Sequence, residues 1–269
     1  MRVIVVHKPG SGLAGAPLDE IIQEMRDQNL RPLLVPLKKV DRNCRGDIVF
    51  MYNAGYRVHR DRIDKMKTPV FNVPFSGYGK DRQYEFFRAA GVSIPKFSVV
   101  DENYDLKNVE KEFGFPVITK PPIGTGGRGV VLNKNLHELE KSLSVSCKKL
   151  ILQEYIKEAS KGDVRALVID GNVVACLWRT PAKGKITSNF HSGGKPSVYS
   201  MSDEEKSEAI KAAGSVGLTV AGVDIVPTTD GPKVFEANSL PDFMHMKEVA
   251  GVNPIPALVS AIKKKASEA

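Results

Sequence analysis

Residues 115 to 132, FPVITKPPIGTGGRGVVL, limit the fold more than any other stretch, because their glycines lie between two β-branched runs. Gly124, Gly126 and Gly129 followed by Val131 spell G-x-G-x-x-G-x-V. A dinucleotide loop of that spelling must open a helix whose amino terminus meets the pyrophosphate. Here VITKPP leads in and VVLNKN leads out, so a second strand follows. A protein kinase also sets its glycine loop between strands, but it carries its lysine on the following strand and needs an H-R-D loop and then a D-F-G. The one H-R-D, His59 to Asp61, precedes the glycines and has Met66 where asparagine is required; no D-F-G occurs, and Lys120 comes before the loop. The G-K-[ST] of a P-loop is absent as well. Two readings remain. One is a glycine-rich hairpin turn beside a surface lysine. The other is a two-strand flap, Gly124-Thr125-Gly126-Gly127-Arg128-Gly129, whose N–H groups cover a triphosphate while Lys120 supplies charge from the strand below.

Around this loop, strand and helix signals alternate. VIVV (3–6), a helical segment over 18–28, LLVP (33–36) and DIVFMY (47–52) form a small open α/β layer, assigned to residues 1–79. DRQYEFFRAA (81–90) reads as a short helix with Lys80 at its start and Phe86, Phe87 and Ala90 on one face, stopped by Gly91 and Pro95. Residues 80–150 form a second lobe: strand FPVITK, the glycine loop, strand VVL, and a helix opened by Asn135 with Glu138 three residues on. Residues 151–269 form a strand-rich third lobe within which LVID-GN-VVACLW predicts a hairpin around Gly171-Asn172, followed by a helix capped by Ser202 with Glu205. The fold class is α/β with α+β lobes, and 269 residues, 42% of them hydrophobic, suffice to bury cores for all three. No apolar run approaches the roughly 18 residues that span a bilayer, so a cytoplasmic protein without membrane attachment is expected. Cys44, Cys147 and Cys176 lack C-x-x-C spacing, which argues against a disulfide framework or a zinc site. The net charge of +8 favours anionic partners such as nucleotides, polyglutamate or nucleic acid.

A second constellation lies in GVDIVPTTDGPKVFEANSLP (222–241), where two strands flank the turn signal at Asp230-Gly231. A symmetric hairpin sets Asp224 opposite Glu236, and alternation puts Glu236 and Asn238 on one face with Phe235 and Ala237 on the other. Two carboxylates and an amide oxygen so gathered suit a hard cation such as Mg²⁺ arriving with nucleotide phosphates; the other reading is a solvated hairpin face.

Lys80, TKPPIGTGGRGV, LILQEYIKEASKGDVR, SNFHSGG, and GVD followed by FEAN together resemble the ATP-grasp ligases, in the branch related to RimK, the ribosomal-protein glutamate ligase. The resemblance covers Lys80 onward, with the motifs in the family's order; residues 1–79 match the family's preceding α/β domain in architecture only. It implies that Lys80 and Lys120 contact ATP phosphates, that Gly124, Thr125, Gly126, Gly127 and Gly129 close over them, and that Gln153, Glu154, Tyr155 and Ile156 line an adenine pocket. Asp224, Glu236 and Asn238 match Mg²⁺ ligands, with Mn²⁺ as a substitute. Asp163 and Arg165 match a D-x-R pair, and Arg179 and Asn189 match polar positions beside the γ-phosphate and substrate. The implied reaction joins a carboxylate acceptor on a protein tail, peptide or coenzyme to an amino acid such as L-glutamate, through an acyl phosphate with release of ADP and phosphate. A homo-oligomer is compatible with this class.

Some positions depart from the pattern. Where relatives read N-x-S-P-G, this chain has Leu240 for the serine and Asp242 for the glycine, and Thr187 and Ser192 stand where arginines often do. Lys183 and Lys185 are the candidate replacements for those arginines, and His191 is a polar residue that could orient substrate. An alternative reading keeps the shell as a non-catalytic nucleic-acid- or ribosome-binding protein. It rests on YRVHRDRIDKMK (56–67) and Lys263 to Lys265, although Asp61 and Asp64 interrupt the first.

Overall fold

The structure, a computed structural model, describes residues 1–7, 17–52, 61–74, 79–101, 103–124, 126–145, 149–183, 193–239, 241 and 243–268. The first sheet contains β1 (Arg2–His7), β2 (Arg31–Pro36) and β3 (Ile48–Tyr52), all parallel, in the order β2-β1-β3. A parallel sheet must be covered on both faces, and this explains the unbroken VIVV run. Val3 and Val5 pack with the helices Leu18–Asp27 and Ile255–Glu268, while Ile4 and Val6 pack with Met51, Ile63 and Met66 on the other face. β2 is a free edge. Arg31 donates its N–H inward to the Met1 carbonyl (2.8 Å), so strand alternation turns Pro32, Leu34 and Pro36 outward. Two of these three have no N–H to offer, which blunts the edge against strand addition.

The second sheet contains β4 (Phe97–Val100), β5 (Val117–Lys120), β6 (Val131–Asn133) and β7 (Leu150–Glu154), antiparallel in the order β4-β7-β5-β6. The glycine loop therefore joins neighbouring antiparallel strands, as its flanks imply. β7 pairs with both β4 and β5, so residues 151–154, expected to begin the third lobe, belong to the second sheet. Helix Leu136–Val145 packs behind this sheet, and its Glu138 N–H donates to the Asn135 side chain (3.0 Å) at the expected cap.

The third sheet contains β8 (Asp163–Ile169), β9 (Asn172–Thr180), β10 (Lys195–Val198), β11 (Val220–Val226) and β12 (Lys233–Asn238), in the order β10-β9-β8-β11-β12. Ile169 pairs with Asn172, so the β8–β9 hairpin turns on Asp170-Gly171 and not on Gly171-Asn172. Both turn residues have positive φ (47° and 74°), the twist a two-residue turn needs to match its strands. Ser202 caps helix Asp203–Ser215 with a full capping box through Glu205. This helix packs on Val164, Ala166, Val168, Val223 and Ile225 together with helix Lys80–Ala89. The latter buries Gln83, Tyr84 and Phe87; Phe86 is half-buried and Ala90 exposed, so the buried face lies about one residue earlier than the phenylalanine pattern suggests.

The opposite face of the third sheet changes character along its strands. Leu167, Ile169, Ala175, Leu177 and Val220 pack beneath helix Ile255–Glu268. Farther along the same face, alternation brings Asp163, Arg165, Arg179, Asp224 and Glu236 to the surface of the sheet. No helix among the described residues is long and apolar enough to cross a membrane.

Candidate active site

The polar end of that face is the floor of a cleft of about 970 Å³, counting its mouth, bounded above by β5, β7 and the glycine loop. Lys80, Lys120, Gly124, Gly126, Gly127, Gln153, Tyr155, Ile156, Asp163, Asp224 and Glu236 all line it. Thr125 and Asn189 lie outside the described residues, as do Lys185, Thr187, His191, Ser192, Leu240 and Asp242.

The roof is set by strand parity. In β5, Val117 faces the core behind the sheet while Ile118 and Lys120 face the cleft. In β7, Gln153 points inward and Glu154 outward, where the Glu154 carboxylate accepts from the Lys96 N–H (2.7 Å). Gly126 and Gly127 have φ of 66° and 73°, which L side chains rarely adopt, so the loop can turn its backbone over the cleft. Gly129 (φ 76°) sits outside the lining, against Pro121.

The floor follows from strand register. Asp163 stands opposite Arg179, and Arg165, Asp224 and Glu236 form a row across β8, β11 and β12. Arg165 facing Asp224 is a favourable pair, whereas Asp224 facing Glu236 sets two carboxylates opposite each other, which costs unless cations offset them. Asp163 receives Nε and Nη2 of Arg179 at 2.6 and 2.7 Å, a two-point fork. Arg165 Nε and Arg179 Nη2 lie 2.9 and 2.8 Å from Asp224 Oδ1. Asn238 completes the group when its amide oxygen accepts from Arg165 Nη1 (3.0 Å) and its nitrogen donates to Glu236 (3.2 Å). Lys80 reaches Glu236 Oε1 (2.8 Å) and the Gly124 carbonyl (3.0 Å), tying floor to flap. The expected register of Asp224 against Glu236 holds, but Phe235 does not face away. A bulge beside Asp224 leaves Phe235 as the extra residue of β12, and it lines the cleft next to Glu236.

Burial shapes the charges. It pushes the Lys120 ammonium down to about 7, with Glu236 and Asp224 pulling upward and Lys80 pushing down. Burial raises the Asp163 carboxyl above the ordinary range although Arg179 opposes it. For Arg179, burial is outweighed by Asp224 and Asp163, which hold the guanidinium charge firmly. Burial lowers Arg165 from its ordinary value, with Asp224 opposing, and the guanidinium remains charged.

The donor set can be tested against a metal. Among the described residues, no group of three or more His, Cys, Asp or Glu is arranged to hold one. Asp224, Glu236 and Asn238 offer two carboxylates and an amide, which fits Mg²⁺, an ion that keeps waters and phosphate oxygens in its shell. Asp224 Oδ1 is buried and, despite its two guanidinium neighbours, accepts no hydrogen bond of proper geometry. A cation at this oxygen would share it with Arg165 and Arg179.

Several residues that position the site carry no motif. Tyr84 and Gln83 lie on the buried face of helix Lys80–Ala89 and bond to Lys120, Gln153 and Ala237. Their only signal is a polar pair three and four residues after Lys80, on its helix face. Gly222 leaves room for Arg165, since a Cβ there would sit 2.7 Å from Nη1. Gly162 lets β9 approach, since its Cβ would sit 2.5 Å from the Arg179 carbonyl and the Trp178 ring.

Known proteins resemble this chain in sequence and in fold. A probable alpha-L-glutamate ligase of Shewanella pealeana is 40% identical over 181 residues, covering 65% of this chain and 39% of that protein. That of Shewanella halifaxensis is 39% identical over 221 residues, 80% of this chain and 48% of the relative. That of Chromohalobacter salexigens is 34% identical over 215 residues, 77% and 70%. The chain thus spans less than half the length of the two Shewanella relatives. Among solved structures, the ATP-grasp ligase PsnB complexed with minimal precursor superposes with a TM-score of 0.72 at 20% identity, covering 98% of both chains. D-cycloserine synthetase DcsG gives 0.74 at 14% identity, covering 99% of this chain and 100% of its own. D-alanine–D-alanine ligase from Bacillus anthracis gives 0.69 at 15%, covering 100% and 98%. These likenesses show the ATP-grasp fold. Residues 79–262 match the RimK-like ATP-grasp domain, and the chain belongs to that family.

Proposed function

We propose that this chain is an ATP-dependent carboxylate-amine ligase that forms an amide through an acyl phosphate and releases ADP and phosphate. The observation that carries the reading is the convergence of Lys80, Lys120, Asp224 and Glu236 on one cleft beneath a glycine flap. ATP lies with its base toward Tyr155 and Ile156, at the end of β7, and its phosphates toward Lys80 and Lys120. Gln153 Oε1 is already occupied by Tyr84 and Lys120, so the base edge is read by backbone groups of Glu154–Ile156. Asp224, Glu236 and Asn238 hold Mg²⁺, or Mn²⁺ in its place. The ion when bound offsets phosphate charge as a Lewis acid.

The acceptor carboxylate attacks the γ-phosphorus, ADP leaves, and an amine then adds to the acyl carbon and expels phosphate. The lysines and arginines align the phosphates and offset charge growing on the transferred group. The flap excludes water that would hydrolyse the acyl phosphate. The amine is L-glutamate or another amino acid, and the acceptor a protein tail, peptide or coenzyme. The positions that would choose between them include Asn189, Lys183 and Lys185. We retain the division at 1–79, 80–150 and 151–269 with the second boundary moved past Glu154, a cytoplasmic location, and a homo-oligomer to be measured by sedimentation.

The test is ATP turnover with Mg²⁺, an amino-acid mixture and candidate acceptors, resolving ADP from AMP and following product mass. ADP and phosphate released only with amine and acceptor together, with a mass gain of one residue, support the reading. AMP with pyrophosphate, or no turnover despite nucleotide binding, refutes it.

A further inference from the structure

Three polar residues on one side of helix Lys80–Ala89 reach three different parts of the cleft. Lys80 touches Glu236 and the flap, as described above. Gln83, 6% exposed, makes two bonds to a single residue of β12: its Nε2 donates to the Ala237 carbonyl (2.9 Å), and the Ala237 N–H donates to its Oε1 (3.1 Å). Ala237 lies between Glu236 and Asn238 in the chain. Both backbone groups of the residue separating the two ligand positions are therefore fixed by one side chain.

Tyr84, fully buried, turns toward the other wall. Its hydroxyl donates to Gln153 Oε1 (2.9 Å) and accepts from Lys120 Nζ (2.9 Å), and Lys120 also donates to Gln153 Oε1 (2.6 Å). An ammonium has three donors. Two are committed to this triangle, which fixes the direction of the third, and Lys120 lines the cleft. The Tyr84 ring is held independently of its hydroxyl, packing at 4.7 Å from Phe97 and 6.2 Å from Phe87 between centroids.

Resting on the ATP-site reading above, we propose that Gln83 and Tyr84 are paired positioning residues, Gln83 aligning the metal-binding strand and Tyr84 aligning the phosphate-binding lysine. Adjacent positions on one helix set the spacing between the two walls. Neither residue touches nucleotide; each acts through its partner. The two arms are separable, because Gln83 bonds only to β12 backbone and Tyr84 only to Lys120 and Gln153 among the bonds described.

The experiment is calorimetric binding of ATP to the full chain, once in EDTA and once in Mg²⁺, for wild type, Tyr84→Phe, Gln83→Met, Lys120→Met and the Tyr84→Phe/Lys120→Met pair. Tyr84→Phe is expected to weaken ATP about tenfold in both media, the scale of one hydrogen bond to a charged group. That loss disappears in the Lys120→Met background, where no ammonium remains to be aligned. Gln83→Met is expected to leave binding in EDTA unchanged and to lose about tenfold of the gain that Mg²⁺ provides. Thermal unfolding accompanies each variant; should Gln83→Met unfold, Gln83→Glu, which keeps the acceptor for the Ala237 N–H, takes its place. Equal affinities in Tyr84→Phe and wild type, or a Tyr84→Phe loss that persists undiminished without Lys120, overturns the Tyr84 arm. An equal loss for the Gln83 variant in EDTA and Mg²⁺, or no loss in either, overturns the Gln83 arm. Failure of the wild type to bind ATP in either medium refutes the ATP-site reading itself, a result distinct from both.

Discussion

Lys120 has no carboxylate at ion-pair distance among the described residues. Its ammonium bonds to two neutral groups, Tyr84 and Gln153, whereas Lys80, Arg165 and Arg179 each lie within 2.9 Å of a carboxylate. With burial holding it near pH 7, the ammonium should be restored by phosphate oxygens arriving beside it. At pH 8 only about one Lys120 in ten is protonated in the free protein, so ATP binding takes up about 0.9 proton there and about 0.5 at pH 7. A phosphate's second pKa of about 6 keeps the nucleotide ionised at pH 8, so its own titration adds little. Affinity falls about tenfold for each pH unit above 7, until the pKa of the ATP-bound lysine is passed. Calorimetry in two buffers of different ionisation enthalpy measures the uptake directly. Lys120→Met should take up none. A wild-type uptake below about 0.2 proton at pH 8, or an equal uptake by Lys120→Met, refutes the reasoning.

The same lysine affects stability. Its folded pKa of about 7 lies below the ordinary 10.5, so the unfolded chain binds more protons between those values and stability rises with pH through that window. Below pH 7 the burial cost is fully present, and Lys120→Met should stabilise by up to about 5 kcal/mol at pH 6 and by little at pH 11, read from denaturant midpoints. Glu236→Ala should keep the circular dichroism of wild type and lower Mg²⁺-ATP turnover by at least about 100-fold, the scale of one lost charge-stabilising group. Gly162→Ala forces a Cβ against the β9 backbone at φ 144° and should cost about 3 kcal/mol in urea unfolding. Gly222→Ala meets the Arg165 guanidinium, which Asp224 holds, and the Pro241 Cβ at 3.1 Å, so both turnover and urea midpoint should fall.

What the sequence made legible was carried by local signals. The strand-loop-strand order around the glycines, the Ser202 capping box and the Asp224–Glu236 register each follow from a few adjacent residues and the period of a strand. Errors arose where pairing across the chain decides. The stretch 151–154 looks like the start of a new lobe, yet β4 and β5, about 50 and 30 residues earlier, claim β7 as a central strand. The bulge that turns Phe235 into the cleft has no local signature. Glu154 and Gln153 are neighbours in a motif, but alternation sends only Gln153 to the ligand side. Tyr84 and Gln83 resemble ordinary helix residues until the strands that they bond to are brought beside them.

The arginines of the floor have two roles that a single substitution merges. Arg179 is almost wholly buried and bridges Asp163 and Asp224, so it neutralises two carboxylates that the fold has removed from water. Removing one partner of a buried ion pair is strongly destabilising, because the other charge is left without compensation. Lost turnover in an Arg179 variant would therefore report on the folding of β8, β9 and β11 as much as on phosphoryl transfer. Lys80 differs, since it is partly exposed and pairs with Glu236 at the rim of the floor. Lys120 differs further, having no carboxylate at ion-pair distance among the described residues to strand. Its loss should relieve the fold while disabling the site, and that opposition between stability and binding marks a charge held for a ligand rather than for the protein.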